Sequence, residues 1–521
     1  ASGGYGFTKV GYGSELVSNG TFDTGIEGWA SIRHGALSWS QGTLKVETTS
    51  TNYGTAQASI STEIGKTYVA SVDIRETSPA AWFIVSSSNS TSWVPELVRV
   101  ANNTSVLGSH QAYFTATTTT TYLNLLADSN TGSYARYDNV SVKEVTYNSS
   151  DPSATLKLIY HPNDVPRIEY DLDGSAKGLL IEEARTNWAL YSENFTSGNT
   201  QSTGIAIDAD AITAPNGTLT ADKFKETVDS QGSLNNHHRR GQSVAVSSPA
   251  QIRVMSFYAK AAERNLVRFW SWGGAGTDTS AKFFNLHDGT MSGSDTVSID
   301  AVGNGWYRCS CLLPAGNTQF VIGPAISTSN GTTTYLGVEG SGIYVWGAQL
   351  EESPFPTSYI KTENATATRA ADLASIPVSK FGYNQSAGTL FVDFKTPDTA
   401  GTGGADALEL GDSAVSTNRY LIRNGLAYYR TAGGVQVVIG YTASTNNQRA
   451  GFAVQSNDAV SVVNGSTIGT DNSVTLFSNP TILGIGAYAY NLAQEKLNGH
   501  IKSIQYYPRR LTDAQLQELT T

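Results

Sequence analysis

Tyr68-Val69-Ala70-Ser71-Val72-Asp73-Ile74 is the stretch that decides the fold class, because every second residue from Tyr68 to Ile74 is apolar. A period of two is typical of a β-strand with one buried face. The runs Thr43-Leu44-Lys45-Val46-Glu47 and Tyr122-Leu123-Asn124-Leu125-Leu126 are similar, and clusters of Gly, Asn and Ser separate such runs. Short strands at this spacing predict an all-β protein built from tandem β-sandwich domains.

Helical signals are confined to the C-terminal tail. Thr512-Asp513-Ala514-Gln515 has the spacing of a capping box, and Leu516 and Leu519 follow it. We therefore predict one short helix at the C-terminal end.

The composition excludes several classes of partner. Charged residues make up 15% of the 521 residues, against about 25% in average soluble proteins, and the net charge is −10. A nucleic-acid partner would require a face rich in Lys and Arg, but the one basic tract is His237-His238-Arg239-Arg240. No apolar run approaches the roughly 18 residues that span a membrane, so we expect neither nucleic-acid binding nor membrane insertion.

The two cysteines, Cys309 and Cys311, lie two positions apart in a strand-like run. We interpret them as small core residues, because a zinc or redox site would require further Cys or His at ligand spacing. A protein of this kind folds without an oxidising compartment, which suits one that is made in a cytoplasm and used outside a cell.

The first domain is predicted from residue 14 to 146. It opens with Glu15-Leu16-Val17-Ser18-Asn19-Gly20-Thr21-Phe22-Asp23 and closes with Tyr137-Asp138-Asn139-Val140-Ser141-Val142. This pair of segments resembles the first and last strands of carbohydrate-binding modules of families 4 and 9, and the resemblance implies a jelly roll. Before it, the Gly- and Tyr-rich residues 1–13 are a candidate particle-attachment segment.

Residues 147–185, rich in Pro and Asp, are predicted to be a connector, and a second jelly-roll module is predicted over 186–375. Gly178-Leu179-Leu180-Ile181-Glu182-Glu183-Ala184-Arg185-Thr186-Asn187 is followed by Tyr191-Ser192-Glu193-Asn194-Phe195. Ala214-Pro215-Asn216-Gly217, Pro356-Thr357-Ser358-Tyr359-Ile360 and Thr368-Arg369-Ala370-Ala371-Asp372 come later. These phrases resemble those of head-spike and tail-fibre proteins of tailed bacteriophages.

A third domain is predicted over residues 376–521, where the composition of the sequence changes and Trp no longer occurs. Its final strand, Leu497-Asn498-Gly499-His500-Ile501, and the segment that starts at Arg510 resemble concanavalin/laminin-G-like sandwiches.

One set of carboxylates could indicate an enzyme. Glu169-Tyr170-Asp171-Leu172-Asp173 is similar to the E-x-D-x-E strand of retaining glucanases, in which carboxylates about 5–5.5 Å apart face a cleft. Here the third acid is Asp, Gly174 ends the strand at once, and the segment falls in the predicted connector. A solvated turn or a calcium ligand cluster is the favoured interpretation. No Gly-x-Ser-x-Gly motif appears either, so we expect no catalytic site.

Binding of sugars has a different requirement, because pyranose rings stack their C–H faces on aromatic side chains and hydrogen-bond to amides and charged groups. Trp82 and Trp93 flank a Ser/Asn-rich stretch, and with Tyr53 they form the first candidate site. Arg268, Trp270 and Trp272 share a strand face by period two. The second candidate site consists of His237, His238, Arg239, Arg268, Trp270 and Trp272.

No cofactor is required by these expectations, although jelly-roll modules of this kind often carry a structural calcium ion. The resemblance implies Asp23 and Asp138 as its ligands in the first module, and Glu193 and Glu351 in the second.

The sequence thus predicts a non-catalytic spike or fibre on the surface of a virion that binds cell-surface polysaccharide of the host. The family resemblance implies assembly with further copies of itself, as a homotrimer, and attachment to capsid or tail proteins. Two alternatives stay open: a virion-associated polysaccharide depolymerase, and a bacterial adhesin or the carbohydrate-binding part of a secreted glycosidase.

Overall fold

A computed structural model of the chain describes residues 3–151, 154–227, 238–245, 251–273, 282–292, 297–313, 319–328, 335–397, 405–476 and 478–521. For residues 199–201, 242–243, 245, 270–273 and 319–322 it describes the backbone only. The described chain forms antiparallel sheets that pair into three β-sandwiches, followed by a short C-terminal helix. The predicted fold class is confirmed.

The first sandwich packs a seven-stranded sheet against a five-stranded one. Its strands are β1 (Gly4–Tyr12), β2 (Ala30–Ser31), β3 (Gly35–Ser40), β4 (Thr43–Thr48), β5 (Thr55–Ser61), β6 (Thr67–Ser78), β7 (Ala81–Ser86), β8 (Glu96–Thr104), β9 (Gly108–Thr115), β10 (Thr120–Ala127), β11 (Tyr134–Tyr147) and β12 (Thr155–His161). The smaller sheet has the order β2-β5-β10-β7-β8. Val72 of one sheet and Phe83 and Leu125 of the other meet in a continuous apolar core. The strand from Tyr68 to Ile74 lies within β6, as the alternation predicts.

The expected attachment segment is instead part of this sandwich. Strand β1 pairs with β12 from Gly4 to Val10 and with the end of β11. Alternate residues of β1 are buried, and Val10 packs against Val145 and Ile159. Glycine and tyrosine concealed this alternating strand in the sequence, and a role of the segment in particle attachment stays a prediction.

Strands β13 (Ile168–Tyr170) and β14 (Ala176–Ile181) follow, and they belong to the third sandwich. The second sandwich comes next and packs two six-stranded sheets around a core that includes Phe257, Phe269 and Cys309. Strands β15 (Arg185–Asn187) and β28 (Ala367–Arg369) form a separate two-stranded sheet. The strands of the two six-stranded sheets are β16 (Asn199–Thr203), β17 (Ile205–Ile212), β18 (Ala221–Glu226), β19 (Arg239–Ala245), β20 (Arg253–Ala261), β21 (Leu266–Gly273), β22 (Phe283–Asn285), β23 (Met291–Ser292), β24 (Val297–Gly303), β25 (Trp306–Leu313), β26 (Gln319–Ser327) and β27 (Gly342–Glu351). Both Cys309 and Cys311 are free and buried, which confirms their interpretation as core residues.

The third sandwich packs a seven-stranded sheet against a six-stranded one. Its remaining elements are β29 (Ser375–Pro377), a 3-10 turn (Val378–Lys380), β30 (Ala387–Lys395), β31 (Asp406–Gly411), β32 (Arg419–Arg423), β33 (Leu426–Thr431), β34 (Gly434–Gly440), β35 (Gln448–Gln455), β36 (Asp458–Val463), β37 (Ser466–Asp471), β38 (Ile482–Ile485), β39 (Gly499–Tyr507) and α1 (Asp513–Thr520). The predicted capping box is present, since the Thr512 and Gln515 side chains bond to each other's backbone amides. Leu516 of α1 is buried against the apolar side chains of β35 and β36.

Residues 147–185, expected to be a connector, contribute strands to two sandwiches. Strand β12 joins the first sandwich, whereas β14 pairs with β39 through Leu179 and Ile501. Ile181 is buried in the core of the third sandwich. The Pro- and Asp-rich composition indicated turns correctly but gave no sign of these pairings, because the partner strands β1 and β39 both lie far away in the sequence.

A buried ion network joins the three parts of the chain. Arg167 Nη1 donates to Glu182 Oε2 at 2.7 Å, and Arg167 Nη2 donates to Asp372 Oδ2. Arg369 Nη2 lies 3.4 Å from Glu182 Oε2. Burial alone would raise the pKa of Glu182, but the Arg369 and Arg167 guanidinium groups hold it well below its usual range. We call Arg167, Glu182, Arg369 and Asp372 the junction network.

Several residues of the sequence phrase around Glu182 have contacts in or beside the junction network. Arg167 Nη1 also lies 3.3 Å from the Tyr5 carbonyl oxygen of the first sandwich, and the Ser358 amide donates to Glu182 Oε1 at 2.7 Å. The neighbouring Glu183 instead contacts Arg185 and accepts a hydrogen bond from Asn498 Nδ2 at 2.9 Å. The two adjacent acids thus hold sandwiches together.

Among the described residues, no helix has the length and apolar character needed to cross a membrane.

Candidate functional site

An aromatic cluster lies on the outer face of the five-stranded sheet of the first sandwich. In β7, Phe83 points into the core, so its neighbour Trp82 points to the opposite face. The Tyr53 ring lies 5.1 Å from the Trp82 ring and 5.9 Å from the Trp93 ring, edge to face in both cases. The structure therefore brings together the three aromatic residues of the first candidate site. We call this surface the aromatic face.

The three rings differ in accessibility. Trp82 is only 7% exposed and packs with Ile84 and Leu126, so it forms the base of the cluster. Tyr53 and Trp93 are half-buried and present ring surface above it. The Arg33 guanidinium lies 4.9 Å from the centre of the Trp93 ring, within cation–π range. Arg33 also donates to the Thr91 carbonyl oxygen at 2.9 Å, which holds its side chain beside the loop that carries Trp93.

Two amide side chains lie on the same face and were missed by the sequence analysis. Gln57 Nε2 donates to Asn124 Oδ1 at 2.8 Å, and Asn124 Nδ2 lies 3.1 Å from both the Ile84 carbonyl oxygen and Ser86 Oγ. The strand register places Asn124 opposite Gln57 on one side and Ile84 on the other. The signal was present in the sequence, since Asn124 interrupts an apolar run between Leu123 and Leu125.

The loop that carries Trp93 is built by serine side chains. Ser88 Oγ accepts from the Ser90 amide, and Ser90 Oγ accepts from the Ser92 amide, at 3.2 and 3.1 Å. This geometry leaves Trp93 with a φ of +57°, which is an outlier for a bulky residue. The buried indole N–H of Trp93 has no hydrogen-bond partner among the described residues. Both features cost stability, and such strain is concentrated at binding sites.

The described members of the second candidate site do not form an exposed patch. His238 is fully buried, with Nδ1 2.7 Å from the Gly204 carbonyl oxygen and Nε2 3.2 Å from that of Tyr335. Arg268 is also fully buried, and Arg239 is half-buried. Period two shows which residues share a face of a strand but not whether another segment covers that face. His237 and the side chains of Trp270 and Trp272 lie outside the described part of the chain.

The four residues proposed as calcium ligands bond to nearby protein groups. Thr21 Oγ1 donates to Asp23 Oδ2 at 2.7 Å, whereas Asp138 Oδ2 pairs with Arg75 at 2.8 Å. In the second module, Glu193 accepts from the Tyr359 hydroxyl at 2.9 Å, and Glu351 accepts from the Thr357 amide at 3.0 Å. Burial raises the pKa of Glu351. A structural calcium ion stays a prediction for both modules.

A separate group of three carboxylates lies on the third sandwich. Ligand oxygens of Asp406, Glu409 and Glu495 lie within 4.8 Å of one another. Arg419 Nη2 contacts all three carboxylates at 3.0, 2.5 and 2.5 Å, and Arg423 Nε lies 2.6 Å from Asp406 Oδ1. Burial, reinforced by the charge of Glu409, raises the pKa of Asp406 well above its usual range. The guanidinium groups supply the positive charge that balances these acids.

The acids that resemble a glucanase strand have structural roles. Glu169 Oε1 accepts from the Phe7 amide at 3.0 Å, and Glu169 Oε2 lies 2.7 Å from His500 Nε2. The strand ends at Tyr170, and a turn closes through a 2.9 Å hydrogen bond from the Gly174 amide to the Asp171 carbonyl oxygen. The turn is as predicted, although the segment belongs to the third sandwich rather than to a free connector.

Comparison with known proteins gives little further information. No protein-family model matches the sequence, and no curated protein matches it. One solved structure that aligns is the N-terminal CBM22-1-CBM22-2 tandem domain of Xyn10C from Paenibacillus barcinonensis, at 11% identity and a TM-score of 0.22. The alignment covers 66% of this chain and 98% of that chain. A likeness at this level supports no conclusion about this chain, so its fold class rests on the sheets described above.

Proposed function

We propose that this protein is a non-catalytic glycan-binding protein and that its aromatic face contacts the sugar. The observation that carries the proposal is the aromatic cluster, in which half-buried Tyr53 and Trp93 stand over a buried Trp82 on the outer side of a sheet. Stacked aromatic rings of this kind bind the C–H face of a pyranose, and each contributes about 0.5–1.5 kcal/mol beyond the area that it buries.

The polar groups around the cluster suit the rest of a sugar. The Arg33 guanidinium and the loop hydroxyls of Ser90 and Ser92 surround Trp93 with hydrogen-bond donors and acceptors. Gln57 and Asn124 hydrogen-bond to each other on the same face of the sheet, so this part of the face is ordered before a ligand binds. Preorganisation of this kind reduces the entropy lost on binding.

The wider setting that we propose is a virion spike or fibre, exposed on the particle surface and attached to capsid or tail proteins. Support for it comes from the phrases around Glu182, Glu193 and Asp372, which resemble those of phage head-spike and tail-fibre proteins. Several copies, as a homotrimer, would convert weak binding at each site into strong adsorption to host polysaccharide.

Absence of catalysis is part of the proposal. Of the glucanase-like acids, Glu169 is engaged with Phe7 and His500, and the three carboxylates of the third sandwich are engaged with Arg419 and Arg423. Incubation with capsular polysaccharide and lipopolysaccharide should produce no new reducing ends and no unsaturated products. A product that disappears in Glu169→Gln or Glu409→Gln would contradict this part of the proposal.

The test of sugar binding compares the wild-type protein with Tyr53→Ala/Trp93→Ala on an array of bacterial capsular and lipopolysaccharide glycans. Trp39→Ala is a matched control, because Trp39 is 48% exposed and lies in β3 of the other sheet of the same sandwich. We expect the double variant to lose at least tenfold in affinity for glycans that the wild type binds, with an unchanged β-rich circular dichroism spectrum. Equal losses in the Trp39→Ala control, or undiminished binding by the double variant, would reject the aromatic face as the site.

A further inference from the structure

A pocket of about 340 Å³ lies where the first sandwich meets the second. One side comes from strands β8 and β9, which contribute Arg99, Gln111 and Tyr113. Loops of the second sandwich form the opposite side, and β1 and β12 contribute the floor. The volume lies within the range of about 300–1,000 Å³ that is typical of small-molecule sites.

Three loops that the sequence analysis singled out converge at this pocket. The loop after Tyr191 supplies Glu193, the loop from Ala214 to Gly217 supplies Asn216, and Lys361 follows directly after the Pro356–Ile360 phrase. Neither the aromatic face nor the junction network includes these three lining residues. Asn216 and Lys361 belong to no other candidate site, and Glu193 is otherwise only a predicted calcium ligand.

The two sandwiches approach each other closely at Gly217. Its φ of +85° favours glycine, and a Cβ atom placed there would lie only 2.4 Å from Gln111 Nε2. The Gln111 amide nitrogen is buried beside the Tyr113 hydroxyl, and no described group gives it a hydrogen bond of good geometry. An unpaired buried donor in a pocket wall is costly unless a ligand or a water molecule satisfies it.

A carboxylate and an ammonium group lie together in the wall that faces Gln111. Glu193 accepts from the Tyr359 hydroxyl at 2.9 Å, and its other oxygen lies 3.1 Å from Lys361 Nζ. Glu193 is 8% exposed, whereas the Lys361 side chain is 46% exposed and marks the rim. A hydroxyl group that enters here can donate to the carboxylate and accept from the ammonium group.

Aromatic rings complete the pocket. The Tyr5 and Tyr160 rings lie 5.7 Å apart, edge to face, and Tyr160 is 46% exposed at the rim. Tyr113 lies on the opposite side, on β9. A ligand between them needs an apolar face as well as hydroxyl groups.

The charges of the pocket favour a neutral ligand. Arg99 Nε lies 2.9 Å from Glu96 Oε1, and Lys361 is paired with Glu193, so each of these two cations already has an anion. An anionic ligand such as a phosphate would gain little from them and would lie beside the Glu193 carboxylate.

We infer that this pocket is a second glycan site, which takes one neutral pyranose residue from the end of a saccharide chain. Glu193 and Lys361 bind adjacent hydroxyls, Gln111 donates to a third oxygen, and the tyrosine rings contact the C–H face. The inference rests on the geometry of the pocket alone and stands whether or not the aromatic face binds sugar. Because the ligand contacts both sandwiches, its binding also stiffens their junction.

The test titrates the intact protein with glucose, galactose, mannose and N-acetylglucosamine, with glucuronic acid and inorganic phosphate as anionic probes, and follows binding by saturation-transfer difference NMR. We expect millimolar binding of at least one neutral sugar, and weaker or no binding of both anions. That binding should fall about tenfold in Gln111→Ala and in Glu193→Gln, because each removes a hydrogen bond, one of them to a charged group.

Two controls separate this pocket from the other sites. Glu63→Gln changes a carboxylate that is 75% exposed and does not line the pocket, and it should leave binding unchanged. Tyr53→Ala/Trp93→Ala should also leave it unchanged, which makes failure of the aromatic face distinguishable from failure of the pocket. If Glu193→Gln unfolds, the partly exposed Gln111 still gives a usable variant. No binding of any neutral sugar at tens of millimolar, stronger binding of the anions, or binding that both pocket variants retain would overturn the inference.

Discussion

At the scale of single residues, the aromatic face contains one ring that stabilises the fold, that of Trp82, and two rings that a ligand can contact, those of Tyr53 and Trp93. Trp82 is 7% exposed and packs with Ile84 and Leu126, so Trp82→Ala should destabilise the protein by about 3 kcal/mol or more. Trp93→Ala should cost clearly less, because Trp93 is half-buried and its indole N–H has no partner among the described residues. Urea unfolding of the two variants measures the difference. Equal losses of stability would show that Trp93 is a core residue.

A second prediction at this scale concerns the pH dependence of the junction network. The pKa of Glu182 is held below its usual range in the folded protein, so its ionised form stabilises the fold above the pKa of an unfolded glutamate, about 4.3. This contribution is lost as the pH falls through that value and below it. Glu182→Gln should therefore lower stability at pH 7 by about 3 kcal/mol and flatten the dependence on pH between 5 and 3.

The control for that prediction is Glu63→Gln, because the Glu63 side chain is 75% exposed. Urea midpoints at pH 7, 5, 4 and 3 for the three proteins provide the comparison. A Glu182→Gln variant that is as stable as the wild type at pH 7 would contradict the assignment of this residue to the junction.

At the scale of secondary-structure elements, strand β14 is a short segment that pairs with β39, a strand far away in the sequence. Ile181 lies at its end and is buried in the core of the third sandwich. Ile181→Ala should increase hydrogen exchange at β30 and β39, since removal of a buried isoleucine side chain typically costs about 2–5 kcal/mol. Leu172→Ala is the matched control, because Leu172 is 47% exposed in the turn before β14. Increased exchange confined to the second sandwich would show that β14 is misassigned.

The elements also show what could be predicted from the sequence. The alternation from Tyr68 to Ile74 and the capping box at Thr512 are local signals, and both elements form as predicted. Pairing of Leu179 with Ile501 is not a local signal, because no periodicity within one segment identifies a partner that is hundreds of residues away.

The candidate sites, too, could be predicted only where a local sequence signal marks them. Trp82 and Trp93 stand beside a Ser/Asn-rich loop, so their sequence context indicated a surface site. His238 lies in a polar sequence and is nevertheless buried beneath Tyr335, a contact between residues that are far apart in the chain. The pocket at Glu193 and Gln111 was missed for this reason, since it exists only after two sandwiches pack together.

At the scale of the whole molecule, the proposed homotrimer would make weak sites effective through repetition. The loss of one stacked ring should weaken a single site about tenfold, because 1.4 kcal/mol corresponds to a factor of ten. In an assembly of several copies the loss acts at each site, so adsorption to host cells should fall more steeply than the affinity of the isolated chain. Adsorption assays on multimerised wild-type protein and on the Tyr53→Ala/Trp93→Ala variant measure this ratio. Parallel losses in both formats would indicate that the protein binds through one site at a time.

The most direct test of sugar binding at the aromatic face is fluorine NMR of protein labelled with 5-fluorotryptophan, titrated with a capsular polysaccharide that the wild type binds. Trp93→Phe and Trp39→Phe variants assign the two resonances that matter. We predict that the Trp93 resonance shifts progressively with added glycan, while that of Trp39, on the other sheet, stays in place. A glycan that binds while the Trp93 resonance does not move would contradict the account.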